Sequence, residues 1–337
     1  MNKISVREIS RKTGFSPATV SKSLNHRAGV SQQTADIIIQ AARDLGYQRT
    51  EHLDQVRFVV ARKNGAIIDE STFHPAVIEG VEKQARQFGL QTTFVHLDIA
   101  AGAAYRKRVD ELCSDASGAI LLLGTELGED DFDDFSEAEN RLVLLDSWSD
   151  RHYFNAVTIA NEDSAFRAVS YLVSRGHRTI GYLAGDFRIQ NFKYREAGYR
   201  RALEAAGITF DPARCVTLGT TLERAHADMC TWLGNHPSTE MPTAYFADND
   251  VLAVGALRAF NEAGYSIPDD VSIIGFDDLA FSSFSNPPLT TIHVPKQEIG
   301  QLAVRMLMES MTDPQHYTRK VQVSTNFVER ASVRSYM

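Results

Sequence analysis

Thr13-Gly14-Phe15-Ser16-Pro17-Ala18-Thr19-Val20-Ser21-Lys22-Ser23-Leu24-Asn25 decides how the N-terminal end of this chain folds. The stretch before it, Val6 to Thr13, reads as a short helix with Val6 and Ile9 inward, and Gly14 breaks it. Ser16 is a helix N-cap, and Pro17 follows at the first helical position, where its missing N–H costs nothing. Two short helices joined by a glycine-containing turn make a helix-turn-helix. A third helix is predicted after Ser31, with Ile37, Ile38, Ala41, Ala42 and Leu45 as its apolar stripe and Gly46 as its end. The second helix carries small polar residues, Ser16, Thr19, Ser21, Lys22 and Asn25, where a groove-facing surface would be. Hydroxyls and amides at a helix N-terminus suit phosphate oxygens, and Lys22 reaches a guanine edge or a further phosphate. The same features also describe a capped surface helix in any three-helix bundle.

Charge separates this end from the rest. Residues 1–55 hold eight Lys/Arg and five Asp/Glu, against 27 basic and 38 acidic residues in the remainder. A positive head on an acidic body confines phosphate contact to the head. With 43% hydrophobic and 23% charged residues the chain is globular in composition, and its length calls for two or three compact units. No apolar run is long enough to cross a bilayer, and Met1 to Ser5 lacks the apolar core of a signal peptide, so a cytoplasmic protein is expected. Cys113, Cys215 and Cys230 form neither a CxxC nor a Cys/His metal spacing, and the ten histidines show none either. Reduced thiols, with no metal and no cofactor, are expected.

From Phe58 onward apolar strands alternate with amphipathic helices. Strands are predicted at 58–61, 92–95, 119–123 and 142–145, and again at 180–184, 244–247 and 271–276, with helices near 163–175, 193–206, 222–234 and 250–263. Such alternation implies parallel sheets covered on both faces, and a break near 155–162 divides the body into two similar α/β lobes with a cleft between them. Open α/β sheets bind ligands beyond the carboxyl ends of their strands. That rule selects Asp146, Asp186, Asn249, Asp250, Asp277 and Asp278, with Arg195 on the helix after Asp186. Carboxylates, an amide and a guanidinium aimed at one cleft suit a hydroxyl-rich ligand. Each of these residues, taken alone, also fits a helix cap or turn.

The head strings, Ile4 to Ile9, Thr13 to Ser16, Thr19 to Asn25 and Val30 to Thr34, resemble the DNA-binding head of the lactose-repressor (LacI/GalR) family. The resemblance continues through Gly176 to Gly185, Arg195 to Tyr199, Asn249 to Gly255, Ile267 to Asp278 and Pro288 to Ile292. It implies a small all-α helix-turn-helix head on a two-lobed α/β body like periplasmic binding proteins, acting as a transcription regulator, most simply a repressor. It further implies that Pro17, Ala18 and Lys22 face bases, with Ser5, Ser16, Thr19, Ser21, Asn25, Ser31 and Thr34 near phosphate. Pro17 and Ala18 have no hydrogen-bonding side chain, so readout there is apolar, as against a thymine methyl. In the body the resemblance places Asp146, Arg195, Asn249 and Asp277 on effector-contacting positions and Phe73 on an aromatic or apolar pocket position. Asp250 is expected to cap the following helix. Where relatives often stack an aromatic ring on the ligand, Thr220-Thr221 stands here, and Trp148 or Phe187 is the substitute. The implied effector is a sugar or sugar derivative, with a nucleoside or purine as the alternative. A homodimer on pseudo-palindromic operator DNA is expected, because one helix-turn-helix covers too little DNA for high specificity.

The domains are therefore placed at 1–47 for the head, 48–56 for a hinge or linker and 57–337 for the body. The connector lacks the family's Pro-Asn pair and carries Glu51 and Asp54 where phosphates would be close. Leu53 is its only apolar wedge for a minor groove; the competing reading is a tether that inserts nothing. Two rivals from other classes are an enzyme and a periplasmic-type sugar-binding protein. The chain has no GxSxG, GxxxxGK[ST], HExxH or GxGxxG against the first, and its helix-turn-helix head stands against the second.

Overall fold

The computed structural model describes residues 5–24, 29–45, 53, 55–68, 73–115, 117–236, 241–312 and 317–336. The chain divides into two compact units, Met1–His52 and Leu53–Met337.

The head is three helices, α1 (Val6–Thr13), α2 (Pro17–Leu24) and α3 (Gln32–Asp44). Gly14 ends α1 at φ +76° while its N–H donates to the Ser10 carbonyl over 2.9 Å, a left-handed turn that favours glycine. Ile9, Val20, Leu24, Ile38 and Ala42 form the small core. Ile37 does not join them: it is 50% exposed. Consecutive helical residues point about 100° apart, so once Ile38 faces inward Ile37 cannot.

The body is built from β1 (Gln55–Arg62), α4 (Phe73–Gln87), β2 (Gln91–Asp98), α5 (Ala103–Ser114), β3 (Gly118–Leu123), β4 (Leu142–Leu145) and β5 (Asn155–Ile159). There follow α6 (Asn161–Ser174), β6 (Ile180–Gly185), α7 (Gln190–Ala205), β7 (Cys215–Leu218), α8 (Leu222–Asn235), β8 (Ala244–Ala247), α9 (Asp250–Glu262) and β9 (Ser272–Ile274). The chain closes with β10 (Thr291–His293), α10 (Lys296–Thr312), β11 (Lys320–Val323) and β12 (Asn326–Val328). One lobe is a parallel sheet in the order β2-β1-β3-β4-β5-β11, and the other a parallel sheet in the order β7-β6-β8-β9. The near-continuous apolar character of β3, β4 and β8 follows from burial on both faces: every residue in them is buried.

The break expected near 155–162 is a strand. All five residues of β5 are buried, and the lobes part only at the step from β5 into α6. The chain crosses between lobes again between β10 and α10, and between β11 and β12. Two hydrogen bonds tie the first and last crossings together: Ala160 N–H to the Val323 carbonyl at 3.0 Å, and Ser164 with Thr325 at 2.7 Å. The returning α10 packs on α4 through two glycines. A Cβ on Gly80 would lie 2.1 Å from the Gln297 carbonyl oxygen, and one on Gly300 2.3 Å from that of Val77.

The first strand starts at Gln55, inside the segment assigned to the connector, and Leu53 belongs to the body. Its side chain is 8% exposed and lies in the apolar cluster that includes Val56, Phe58 and Val81. Leu53 is therefore not presented as a minor-groove wedge, nor is it an idle tether residue; burial of its isobutyl group outcompetes exposure on a connector. The rest of the connector, 48–52 and Asp54, lies outside the described residues. Leu53→Ala should cost about 2 kcal/mol of body stability through the cavity it leaves, seen as a lower urea midpoint with operator bending unchanged. Unaltered stability with altered bending would contradict this placement.

Candidate functional site

The cleft lies at the two topological switch points. In the first lobe, order β2-β1-β3 puts the switch between β1 and β3; in the second, β7-β6-β8 puts it between β6 and β8. Loops leaving the strand ends there diverge and leave a crevice. The lining comes from the loop after β1 and the start of α4 (Ile67, Phe73, His74), the ends of β3 and β4 (Thr125, Asp146), α7 and its approach (Ile189, Asn191, Phe192, Arg195), and the ends of β8 and β9 (Asn249, Asp277). All five residues expected at an effector site, Phe73, Asp146, Arg195, Asn249 and Asp277, line this one cavity.

Arg195 organises the second lobe's wall. Its Nε donates to Asn161 Oδ1 at 2.9 Å, Nη1 to the Asp248 carbonyl at 2.5 Å, and Nη2 to Asp277 Oδ1 at 3.1 Å, while the guanidinium lies 3.7 Å over the Phe276 ring. Three of its five N–H groups are thus engaged. Asp277 stands at φ +103° and Asp146 at φ +58°, backbone conformations that L-residues adopt at a cost and that recur where a side chain must be aimed. Lys296 donates to the Asp277 carbonyl, which fixes that turn. Burial raises the Asp277 carboxyl above the usual range, against the attraction of Arg195 and Lys296.

Asp146 faces this wall from the first lobe. Its Oδ2 accepts from Thr125 Oγ1 at 2.8 Å, while Oδ1 is buried without a partner among the described residues. Burial pushes its carboxyl up to about 6, against the Thr125 hydrogen bond and Arg195. The unfolded group ionises near 3.8, so between those values the native state holds the extra proton and stability falls as pH rises. Asp146→Asn, which removes the buried charge and tolerates the left-handed backbone, should raise stability at neutral pH by about 1–2 kcal/mol, vanishing near pH 4. It should weaken effector binding at the same time; chemical denaturation at both pH values checks the first and calorimetry the second.

Asn249 serves two ends. Its Oδ1 accepts from the Leu252 N–H at 3.0 Å as the N-cap of α9, so the capping role expected of Asp250 belongs to Asn249. Asp250 instead is wholly buried beneath the cleft floor, accepting from the Leu279 N–H and the Ser282 and Thr291 hydroxyls. Asp186 turns to Arg224 at 2.8 Å and Asp278 to Arg330 and His293 at 2.6 and 2.9 Å; neither lines the cavity. Nor do the proposed stacking rings. Trp148 packs edge-on against Tyr194, and Phe187 packs outside Ile67, Ile189 and Phe192. The rings that do line the cavity are Phe73 and Phe192, with His74. Thr220 is buried elsewhere, and Thr221 caps α8.

Sequence reasoning missed Thr125, Asn191, Phe192, Ile67, Ile189 and His74. Thr125 was findable, since it follows β3 by the same strand-end rule as Asp146. Asn191 and Phe192 lie one turn before Arg195 on α7 and share its face. Asn191 joins the lobes: its Nδ2 donates to the Asp146 carbonyl at 3.1 Å and its Oδ1 accepts from Asn161 at 2.9 Å. Ile67 had no local signal. It is held by Glu126, whose carboxylate accepts the N–H groups of Lys63, Asn64, Gly65, Ile67 and Ile68 over 2.9–3.1 Å. Burial works against that charge, yet the N–H donors of Ile67, Asn64, Gly65 and Ile68 hold the carboxyl below its usual value. Ile67 meets Ile189 and Phe192 across the cleft mouth. The cavity between these residues measures about 20 Å³, room for little more than one water.

On the head, Ser16, Pro17, Ala18 and Lys22 are exposed, and Thr19 and Ser21 half-buried, while Val20, Ser23 and Leu24 turn inward. Ser16 caps α2, its Oγ accepting the Thr19 N–H at 3.1 Å, and its hydroxyl pairs with that of Thr19 at 2.9 Å. Ser31 does the same for α3 with Thr34, at 3.2 and 2.8 Å. In each pair one hydroxyl donates to the other, which leaves the second proton for an outside acceptor. Ser5 starts α1 with its N–H and hydroxyl on Glu8, at 2.6 and 2.9 Å. Asn25 lies outside the described residues. No helix among those described is long and apolar enough to cross a membrane.

Residues 5–50 match the model of bacterial regulatory proteins of the lacI family, and residues 169–333 that of a periplasmic binding protein-like domain. The HTH-type transcriptional repressor CytR of Escherichia coli (strain K12) is 32% identical over 91% of this chain and 89% of its own length. The HTH-type transcriptional repressor PurR of Haemophilus influenzae (strain PittEE) is 27% identical over 98% and 99%. Among solved structures, the lac repressor dimer bound to operator and the anti-inducer ONPF superposes with a TM-score of 0.72 at 23% identity, covering 99% of this chain and 100% of that one.

Proposed function

Because the chain belongs to the lacI family of bacterial regulatory proteins, we propose that it is a repressor whose operator affinity is set by a diol-bearing effector closing the cleft around Arg195. It is a DNA-binding transcriptional repressor by family, and its relatives are repressors rather than enzymes. The observation that carries the effector reading is the meeting of four polar side chains in one cavity: Arg195 paired with Asp277, Asn249, and Asp146, whose Oδ1 has no partner among the described residues. A vicinal diol donates to two carboxylate oxygens and accepts from a guanidinium, and so satisfies groups that would otherwise be buried at a cost. A sugar supplies such a diol. A ribonucleoside supplies the same diol plus a planar base, and the rings of Phe73 and Phe192 favour that second reading.

Pro17, Ala18 and Lys22 on α2 face bases in the major groove. Ser5, Ser16, Thr19, Ser21, Asn25, Ser31 and Thr34 hold phosphates, as the expected set has it without Leu53. The protein is a homodimer, as the lac repressor bound to operator is a dimer, and its operator is pseudo-palindromic to match two heads. On this reading the protein works in the cytoplasm, with the DNA. A thermal-shift series on the full chain with pentoses, hexoses, sugar phosphates and pyrimidine and purine nucleosides tests the ligand class. A rise in melting temperature with diol-bearing members, lost in their 2′-deoxy or diol-blocked analogues, is expected. No response to any diol would overturn it.

A further inference from the structure

We infer that His226, Cys230 and Glu262, outside the effector cleft, form a binding site for a divalent cation of the zinc class. His226 and Cys230 are four residues apart on α8 and so share a face, and Glu262 closes α9 opposite them. Their donor atoms all lie within 4.8 Å of one another. His226 Nε2 is 3.4 Å from Cys230 Sγ and 2.7 Å from Glu262 Oε2. Tetrahedral coordination with bonds of about 2.0–2.3 Å needs donors roughly 3.5 Å apart. The imidazole–thiol separation is already there, and the carboxylate, on a half-exposed side chain, has under ~1 Å to move by that measure.

The donor chemistry narrows the ion. Sulfur with imidazole nitrogen is foreign to Mg²⁺ and Ca²⁺, which take oxygen, and suits Zn²⁺ and its neighbours Co²⁺ and Ni²⁺. Arg258 Nε donates to the other Glu262 oxygen at 2.9 Å, orienting the carboxylate as an outer partner does at metal sites. Three protein ligands leave a fourth position for water, and the Glu262 side reaches solvent for entry. On binding, the Cys230 S–H proton leaves to solvent, and His226 carries its ring proton on Nδ1 so that Nε2 presents its lone pair to the cation in place of the hydrogen bond to Glu262. The bound ion cross-links α8 to α9, the helix that Asn249 caps at its other end. The sequence conceals this because only two of the ligands sit on one helix.

The test is titration of the reduced full-length protein with Co²⁺ alone as a spectroscopic stand-in. A near-ultraviolet thiolate-to-cobalt band that saturates at one ion per chain and is displaced by Zn²⁺ is expected. Cys230→Ser should lose the band, and Glu262→Gln should weaken Co²⁺ at least about tenfold, while Cys113→Ser keeps both. Operator binding by each variant reports that the chain is folded. Zn²⁺ should raise the melting temperature of the wild type and leave Cys230→Ser unchanged. The absence of a band at micromolar metal, or a band that survives Cys230→Ser, would overturn the assignment.

Discussion

Arg195→Ala removes effector recognition while leaving the head folded: affinity for the diol ligand falls at least about a hundredfold, and the body loses about 3 kcal/mol. The size follows from where the guanidinium sits. It is 3% exposed, and it satisfies an amide oxygen, a main-chain carbonyl and the Asp277 carboxylate at once. Truncation leaves a buried carboxylate unpaired, and breaking a buried pair on one side costs more than the pair contributes. The loss has a pH signature. Without Arg195 the Asp277 carboxyl, already raised by burial, rises further, so the native variant holds a proton that its unfolded chain has lost. Stability of that kind is present at acid pH and disappears as pH climbs through the folded value. The deficit against wild type should therefore shrink in acid and be full at neutral pH, measured by urea denaturation. A deficit independent of pH would mean that Arg195 acts by packing alone.

The second large effect concerns the helix that returns to the first lobe. Gly80→Val should destabilise the body by about 3 kcal/mol or more, because backbone stands where the new side chain would go. Its Cβ alone would meet the Gln297 carbonyl oxygen at 2.1 Å, and a carbonyl cannot swing aside as a side chain does. Gly300 faces α4 in the same way, so the two helices touch backbone to backbone on both sides. Since α10 leads into β11, the strand that completes the first lobe's sheet next to β5, separating α10 from α4 also loosens that edge. Thermal unfolding should fall sharply for Gly80→Val and mildly for Gly234→Ala, where an added Cβ meets nothing within 4 Å. Equal effects would refute the close-approach account.

Where the sequence was readable, one local rule sufficed. Ser16-Pro17 and Ser31 mark helix starts because a cap and a missing N–H are properties of single residues, and both stand as read. Strands β4 and β8 were legible to the residue because burial on both faces leaves no polar position inside them. The errors fall where a distant partner decides. β5 looked like a break because Asn155 and Thr158 interrupt its apolar run, yet Asn155 Oδ1 accepts from the Arg319 N–H, a residue of the C-terminal return. Polar neighbours left Leu53 open to reading as a wedge or as part of a tether, and only the body's core shows what covers it. In the cleft, strand-end carboxylates were legible as a class but not in their individual duties. Asp277 meets Arg195, Asp250 locks the floor and Asp186 leaves for the surface, according to which cation or hydroxyl the fold brings near.

Under the proposed function, the cleft around Arg195 governs the grip of the head on DNA. The direct measurement is fluorescence anisotropy of a pseudo-palindromic duplex, selected by the full-length protein, with and without a saturating ligand from the thermal-shift series. The ligand should shift operator affinity at least about tenfold, a coupling on the order of 1.4 kcal/mol. Arg195→Ala should bind the same duplex as unliganded wild type does and no longer respond. Operator affinity unchanged by a ligand that demonstrably fills the cleft would contradict it.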